Sequence, residues 1–206
     1  MEDVLEVYHR PYDANKPQVC LDETSKQLVA ESPPSISMQP GRCKRVDPEY
    51  RRCGVTSVFM VSEPLAGKRH VRVRSQRTKL DFAEVIRELC DELYSEAETI
   101  VLVLDNLNTH TTASLYEAFE PAMARRLTEK LEIHYTPKHG SWLNMAEIEL
   151  SVLSRQCMSD YFENAEQLAK RIGAWERQRN EEQTSIDWQF TTADARIKLR
   201  KLYPSI

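Results

Sequence analysis

Ile100-Val-Leu-Val-Leu is a run of five consecutive apolar residues that stops abruptly at Asp105. A strand that alternates apolar and polar side chains can leave one face in water, but an unbroken run needs cover on both faces. The neighbouring sequence supplies that cover. Phe82, Val85, Ile86, Leu89 and Leu93 recur at helical spacing and predict an amphipathic helix over Leu80–Ser95. Downstream, helices are expected from about Ala113 to Phe119, capped by Thr111 or Thr112, and from Pro121 to Lys130. Leu131-Glu-Ile-His-Tyr reads as the next strand, followed by a helix with Ser141 as N-cap that runs to about Cys157.

Upstream, Val19-Cys-Leu is a short apolar segment ahead of Asp22, Val55–Val61 is rich in strand formers, and His70-Val-Arg-Val-Arg alternates strictly. Ser32–Arg52 lies between the first two and contains Pro33, Pro34, Pro40 and Pro48, the composition of a long irregular connection. After Asp160 come a helix bearing Leu168, Ile172 and Trp175 and a final amphipathic piece over Thr192–Leu202. Three strands in hairpin succession, then alternating helices and strands, predict an α/β fold: a mixed sheet with helices on both faces, as in the ribonuclease H fold. Residues 1–160 would form that domain, and residues 161–206 a helical extension packed on it.

The formal net charge of −4 suits a polyanion-gripping surface poorly when taken as a whole. Its distribution is uneven. From Gly41 to Lys79 there are eleven Lys and Arg against three acids, a balance of +8 that leaves −12 for the remainder. Such a block is either a local surface for a polyanion or the solvated face of a hairpin. Five scattered cysteines without CxxC spacing read as reduced thiols filling the core, and the five histidines form no HExxH zinc motif. No apolar run approaches the roughly 20 residues of a bilayer span, and the opening Met1-Glu-Asp-Val lacks a basic-then-apolar signal. A cytoplasmic protein without membrane contact is expected. Trp142, Trp175 and Trp188 read as packing residues rather than base-stacking ones.

Three acids stand out by position. Asp22 and Asp105 each follow an apolar strand segment, and in open sheets sites form at the carboxyl ends of parallel strands. Glu147 shares a helical stripe with Leu143, Leu150 and Ser154, which aims it at the sheet, while Glu149 points elsewhere. Converging carboxylates away from water need positive compensation or they take up protons. Magnesium provides it: two ions about 3.5–4 Å apart can activate water and stabilise the leaving oxygen of an in-line phosphoryl displacement. Each acid alone has a plainer role, Asp22 and Asp105 as turn formers or caps and Glu147 as a first-turn acid favoured by the helix dipole. Glu23 follows Asp22 on a strand, faces the opposite way, and is set aside.

The segments around these acids are Leu21-Asp22-Glu23-Thr24, Leu104-Asp105-Asn106-Leu107-Asn108-Thr109-His110 and Tyr135-Thr-Pro-Lys-His-Gly-Ser-Trp-Leu-Asn-Met-Ala-Glu147. They resemble the three motifs of mariner-like DDE transposases, in particular the bacterial insertion-sequence branch. The likeness extends over essentially the whole chain, including Phe190-Thr-Thr-Ala-Asp-Ala-Arg-Ile-Lys, with forty-one residues between Asp105 and Glu147. The resemblance implies a ribonuclease H-like fold, two Mg2+ or Mn2+ ions, DNA cleavage at transposon ends, and strand transfer by the released 3′ hydroxyl. Asp22, Asp105 and Glu147 would be the catalytic residues and metal ligands, and Asn106 and His110 would shape the site. Lys138, His139 and Asn144 would touch DNA, joined by Arg42, Lys44, Arg45, Arg51 and Arg52 from the insert between the first two strands. The implied partners are DNA, as transposon ends and target, and a second copy of the chain; no small-molecule substrate is implied. Family members carry an N-terminal helix-turn-helix region that has no counterpart here, so the expectation is a catalytic domain lacking it. The alternatives are a truncated remnant that binds or inhibits full-length transposase, and a structure-specific nuclease of the same fold.

Overall fold

The computed structural model describes residues 1–31, 36–43, 45, 49–138 and 140–203. Strands β1 (Gln18–Glu31), β2 (Tyr50–Glu63) and β3 (Lys68–Arg74) form an antiparallel meander. Strands β4 (Ile100–Leu104) and β5 (Leu131–Tyr135) extend it in parallel beyond β1, giving the order β3-β2-β1-β4-β5. β4 is buried at every position, as its unbroken apolar run requires. Ile100, Leu102 and Leu104 join Val19, Leu21, Phe59 and Val61 in one core, covered by α2 (Lys79–Glu88), α3 (Thr112–Ala118) and α4 (Pro121–Glu129). Val101 and Val103, with Cys20, Val58 and Met60, belong to the core on the other face. There the cover comes from α1 (Glu2–Tyr8), α5 (Met145–Gln156), α6 (Ala165–Glu181) and α7 (Thr192–Lys198). This is the mixed sheet with helices on both faces that the element order predicts. No helix among the described residues is long and apolar enough to cross a membrane.

Asp22 does not end a strand. It is an interior residue of β1, opposite Met60, because the polar stretch Thr24–Gln27 stays paired with β2 through Lys26↔Thr56 and Gln27↔Val55. Cross-strand hydrogen bonding, not apolarity, sets the length of this ribbon. β2 accordingly begins at Tyr50 rather than Val55. The register slips at Leu28/Val29, where Gly54 adopts φ +107°, the backbone a bulge needs and other residues resist. The expected irregular connection is partly a hairpin: Ile36 pairs with Arg45, and Arg42 N–H donates to the Gln39 carbonyl at 2.8 Å. Pro40 and Gly41, with φ +76° at Gly41, supply the turn. Pro33, Pro34, Pro48 and Lys44 lie outside the described residues.

Two further expectations change. The helix after β5 starts at Met145, not behind Ser141: Ser141–Leu143 is a single 3-10 turn, and the Asn144 side chain caps α5 by accepting the Ala146 N–H at 3.1 Å. The N-terminal α1, not anticipated, buries Val4, Leu5, Val7 and Tyr8. In the second turn of α5, Glu149 points into the protein. Arg69 on β3 is 1% exposed and donates from Nε and Nη2 to the two Glu149 oxygens at 2.7 and 2.9 Å, while Arg179 on α6 lies 3.4 Å away. Arg69 also donates to the carbonyls of Gly67 and Thr184, so one buried guanidinium ties β3, α5 and the segment after α6 together.

Removing one partner of such a pair leaves an uncompensated buried charge. Glu149→Ala should cost about 3–5 kcal/mol in urea unfolding, and the joint replacement Arg69→Met/Glu149→Leu should cost less than Glu149→Ala alone.

Candidate active site at the end of the parallel strands

β1 and β4 share the rungs Gln18↔Val101, Val19↔Leu102 and Cys20↔Val103. Two residues past the last rung stand Asp22, still within β1, and Asp105, just beyond the end of β4. Asp22 lies on the sheet face of Cys20 and Met60, the face that α5 covers, and Glu147 is in the first turn of that helix. Asp22 and Glu147 line one groove of about 300 Å³ with Glu23, Thr24, Leu150, Ser151 and Ser154. Asp105 lines another, of about 260 Å³, with Asn106, Leu107, Thr136, Pro137, Lys138 and Ser141.

Burial pushes the Asp22 carboxyl up to about 7. The Glu23 N–H, which donates to its Oδ1 at 2.8 Å, works against that rise, while the charges of Asp105, Glu23 and Glu147 add to it. Asn144, fully buried, donates from Nδ2 to the Leu21 carbonyl at 2.9 Å and lies 3.4 Å from Asp22 Oδ2. The residue that caps α5 therefore also spans to β1. Asn144, expected to touch DNA, has no exposed surface in this structure.

His110 is 1% exposed and stands between two carboxylates. Its Nδ1 contacts Asp105 Oδ1, and its Nε2 lies 3.0 Å from Glu23 Oε2. The second approach is a charge contact rather than an aligned hydrogen bond, since Oε2 has no hydrogen-bond partner among the described residues. Burial works to lower the imidazole's pKa, but Asp105 and Glu23 outweigh it and hold the value at about 9.

The donor chemistry suits a hard divalent cation, which takes carboxylate oxygens. The fit is one of kind: a buried Asp22 surrounded by three more acids is a charge arrangement that a cation would relieve. Among the described residues, no three His, Cys, Asp or Glu side chains stand close enough to hold a metal ion without adjustment.

The other expected site residues fall into separate places. Asn106 and Lys138 are exposed beside Asp105, and His139 lies outside the described residues. The basic block divides. Arg69 is engaged by Glu149, Arg72 and Arg74 by Glu88, and Lys79 by Glu117, whereas Arg42, Arg45, Arg51 and Arg52 are exposed on the β1–β2 hairpin. All five cysteines are free thiols, three of them buried, and Trp175 is buried in the core. Trp142 is 41% exposed and packs edge-on against Phe190.

Sequence reasoning misses two residues. Glu23 faces away from Asp22, and nothing in the sequence says that His110 waits on that side. Tyr8 donates to the Leu143 carbonyl at 2.6 Å and accepts the Met145 N–H at 3.4 Å, fastening the entry to α5. The apolar pattern Val4-Leu5-Glu-Val7-Tyr8 is the available sign of its helix.

The five-stranded mixed sheet with helices on both faces is a ribonuclease H-like fold. The model of the family described as DDE superfamily endonuclease matches residues 17–169, which include all three acids, and the chain belongs to that family. Among solved structures it is similar to the crystal structure of the Mos1 strand transfer complex, with a TM-score of 0.56 and 13% identity. The match covers 91% of this chain and 59% of that one, and at this identity it speaks for the fold. No curated protein matches the chain.

The raised pKa of Asp22 carries a definite pH dependence. The folded state holds the proton more tightly than the unfolded chain, whose value is 3.8. In the metal-free protein this contribution is complete below about pH 4 and is lost as pH rises through about 7. Wild type should therefore lose stability relative to Asp22→Asn across that window, measured by urea unfolding at a series of pH values.

Proposed function

We propose that this chain is the catalytic part of a DDE transposase, of the bacterial insertion-sequence type its motifs resemble. Asp22, Asp105 and Glu147 would hold two Mg2+ or Mn2+ ions. The observation that carries this reading is the crowding at Asp22, where burial and the charges of Asp105, Glu23 and Glu147 together oppose ionisation. When bound, the ions supply an activated water and stabilise charge on the leaving oxygen. The chain's own residues position and bind. Asn144 spans the start of α5 and β1 beside Asp22, and Lys138 and Asn106 line the groove next to Asp105. Arg42, Arg45, Arg51 and Arg52, exposed on the hairpin, would track phosphates, and the joining of two transposon ends would call for a second copy of the chain.

Two experiments test this. Saturating Mn2+ should raise the melting temperature of wild type, with about 2.7 kcal/mol of stabilisation at a hundred times Kd, and support nicking of supercoiled plasmid. Asp105→Asn should lose most of both effects; equal thermal shifts in wild type and variant would count decisively against the metal site. Replacing Arg42, Arg45, Arg51 and Arg52 by Gln should weaken DNA binding at low salt and flatten its log–log salt dependence by about 0.9 for each phosphate contact removed. An unchanged slope would place the DNA elsewhere.

A further inference from the structure

Alternation along β1 sends Asp22 to the α5 side of the sheet and Glu23 to the α2 side, opposite Phe59. A carboxylate directed into an apolar layer is costly unless something there needs it. The Glu23 side chain is 3% exposed, and the charged group facing it is the His110 ring at 3.0 Å. The ring lies against Phe82 with ring centroids 4.8 Å apart, and the backbone that carries it is fixed as well: the His110 amide N–H donates to the Leu107 carbonyl at 3.0 Å, and the Tyr135 hydroxyl donates to the His110 carbonyl at 2.9 Å. Its second nitrogen reaches Asp105 Oδ1. Asp105 belongs to no regular element: β4 has ended at Leu104, and the next helix begins at Thr112. Its backbone does not dictate where its carboxylate points, so something else must.

We propose that Glu23 is a positioning residue which, through His110, fixes the orientation of the Asp105 carboxylate for metal binding. The inference rests on the reading of Asp105 as a metal ligand. Glu23 orients the imidazole, the imidazole engages one oxygen of Asp105, and the other oxygen is left for the ion. The device wraps around the end of β4, linking one face of the sheet to an acid whose partners Asp22 and Glu147 lie on the other. Ligating carboxylates are held by such outer partners, whose loss costs about 10–100-fold in metal affinity.

The test measures Mn2+ affinity of the full chain by electron paramagnetic resonance, with metal-free melting curves as the check on folding. Glu23→Gln and His110→Gln should each weaken Mn2+ binding by about tenfold or more. The double variant should bind no more weakly than His110→Gln alone, because Glu23 acts through the ring. Glu23→Asp keeps the charge but withdraws the carboxylate by one methylene, and it should also lose affinity. Wild-type affinity in Glu23→Gln, wild-type affinity in Glu23→Asp, or losses that multiply in the double variant would each overturn the proposal while leaving the metal site intact. Wild type that binds no Mn2+ would overturn the metal reading, and this inference with it.

Discussion

β1 pairs with β2 from Cys20 to Glu31 but shares only three rungs with β4. The site and the basic hairpin both depend on that imbalance. Where the shared rungs stop, the sheet opens, and two acids stand two residues past the last rung, Asp22 within β1 and Asp105 just beyond the end of β4. Beyond that point β1 and β2 run on as a two-stranded ribbon whose far half faces solvent at Tyr50–Arg52. One strand thus forms the floor of the site and carries the exposed basic hairpin, while β4, buried at all its positions, anchors the floor in the core.

The third acid reaches the site by a different route. Glu147 depends on where α5 starts and how it lies, and the first two turns of that helix are secured by buried polar contacts. At the start, Asn144 caps the helix and reaches to Leu21 and Asp22, while Tyr8 holds the Leu143 carbonyl. Further along, Glu149 locks the helix to Arg69 and Arg179. Neighbouring acids on one helix therefore do opposite things: Glu149 is neutralised inside the protein, and Glu147 is left facing the groove. Buried ion pairs contribute little net stability against well-packed apolar residues, but they tolerate few alternative placements.

The basic block shows why charge counts need a structure. Its +8 reads as one surface in the sequence, but Arg69, Arg72 and Arg74 on β3 are matched by Glu149 and Glu88, and Lys79 by Glu117. Exposed cations remain on the hairpin at Arg42, Arg45, Arg51 and Arg52, and at Lys68 and Arg77. Pairing across elements decides which cations remain for a polyanion, and linear sequence does not contain those pairings.

What the sequence by itself determined was local and periodic. The apolar run of β4, the alternation of β3 and the helical spacing of α2 and α6 were legible because each element must bury a face, and burial leaves a period in the sequence. The three acids were legible for a related reason, since polar residues interrupting such patterns need an explanation. The tertiary structure decided whatever depended on a partner distant in the chain. It extended β1 past Asp22, moved the start of α5 from Ser141 to Met145, turned Asn144 inward, and brought His110 between Asp105 and Glu23. These outcomes rest on hydrogen bonds and charge contacts between residues up to 137 positions apart. Such pairings leave no periodic trace, because what satisfies a buried polar group is the single neighbour that folding brings to it.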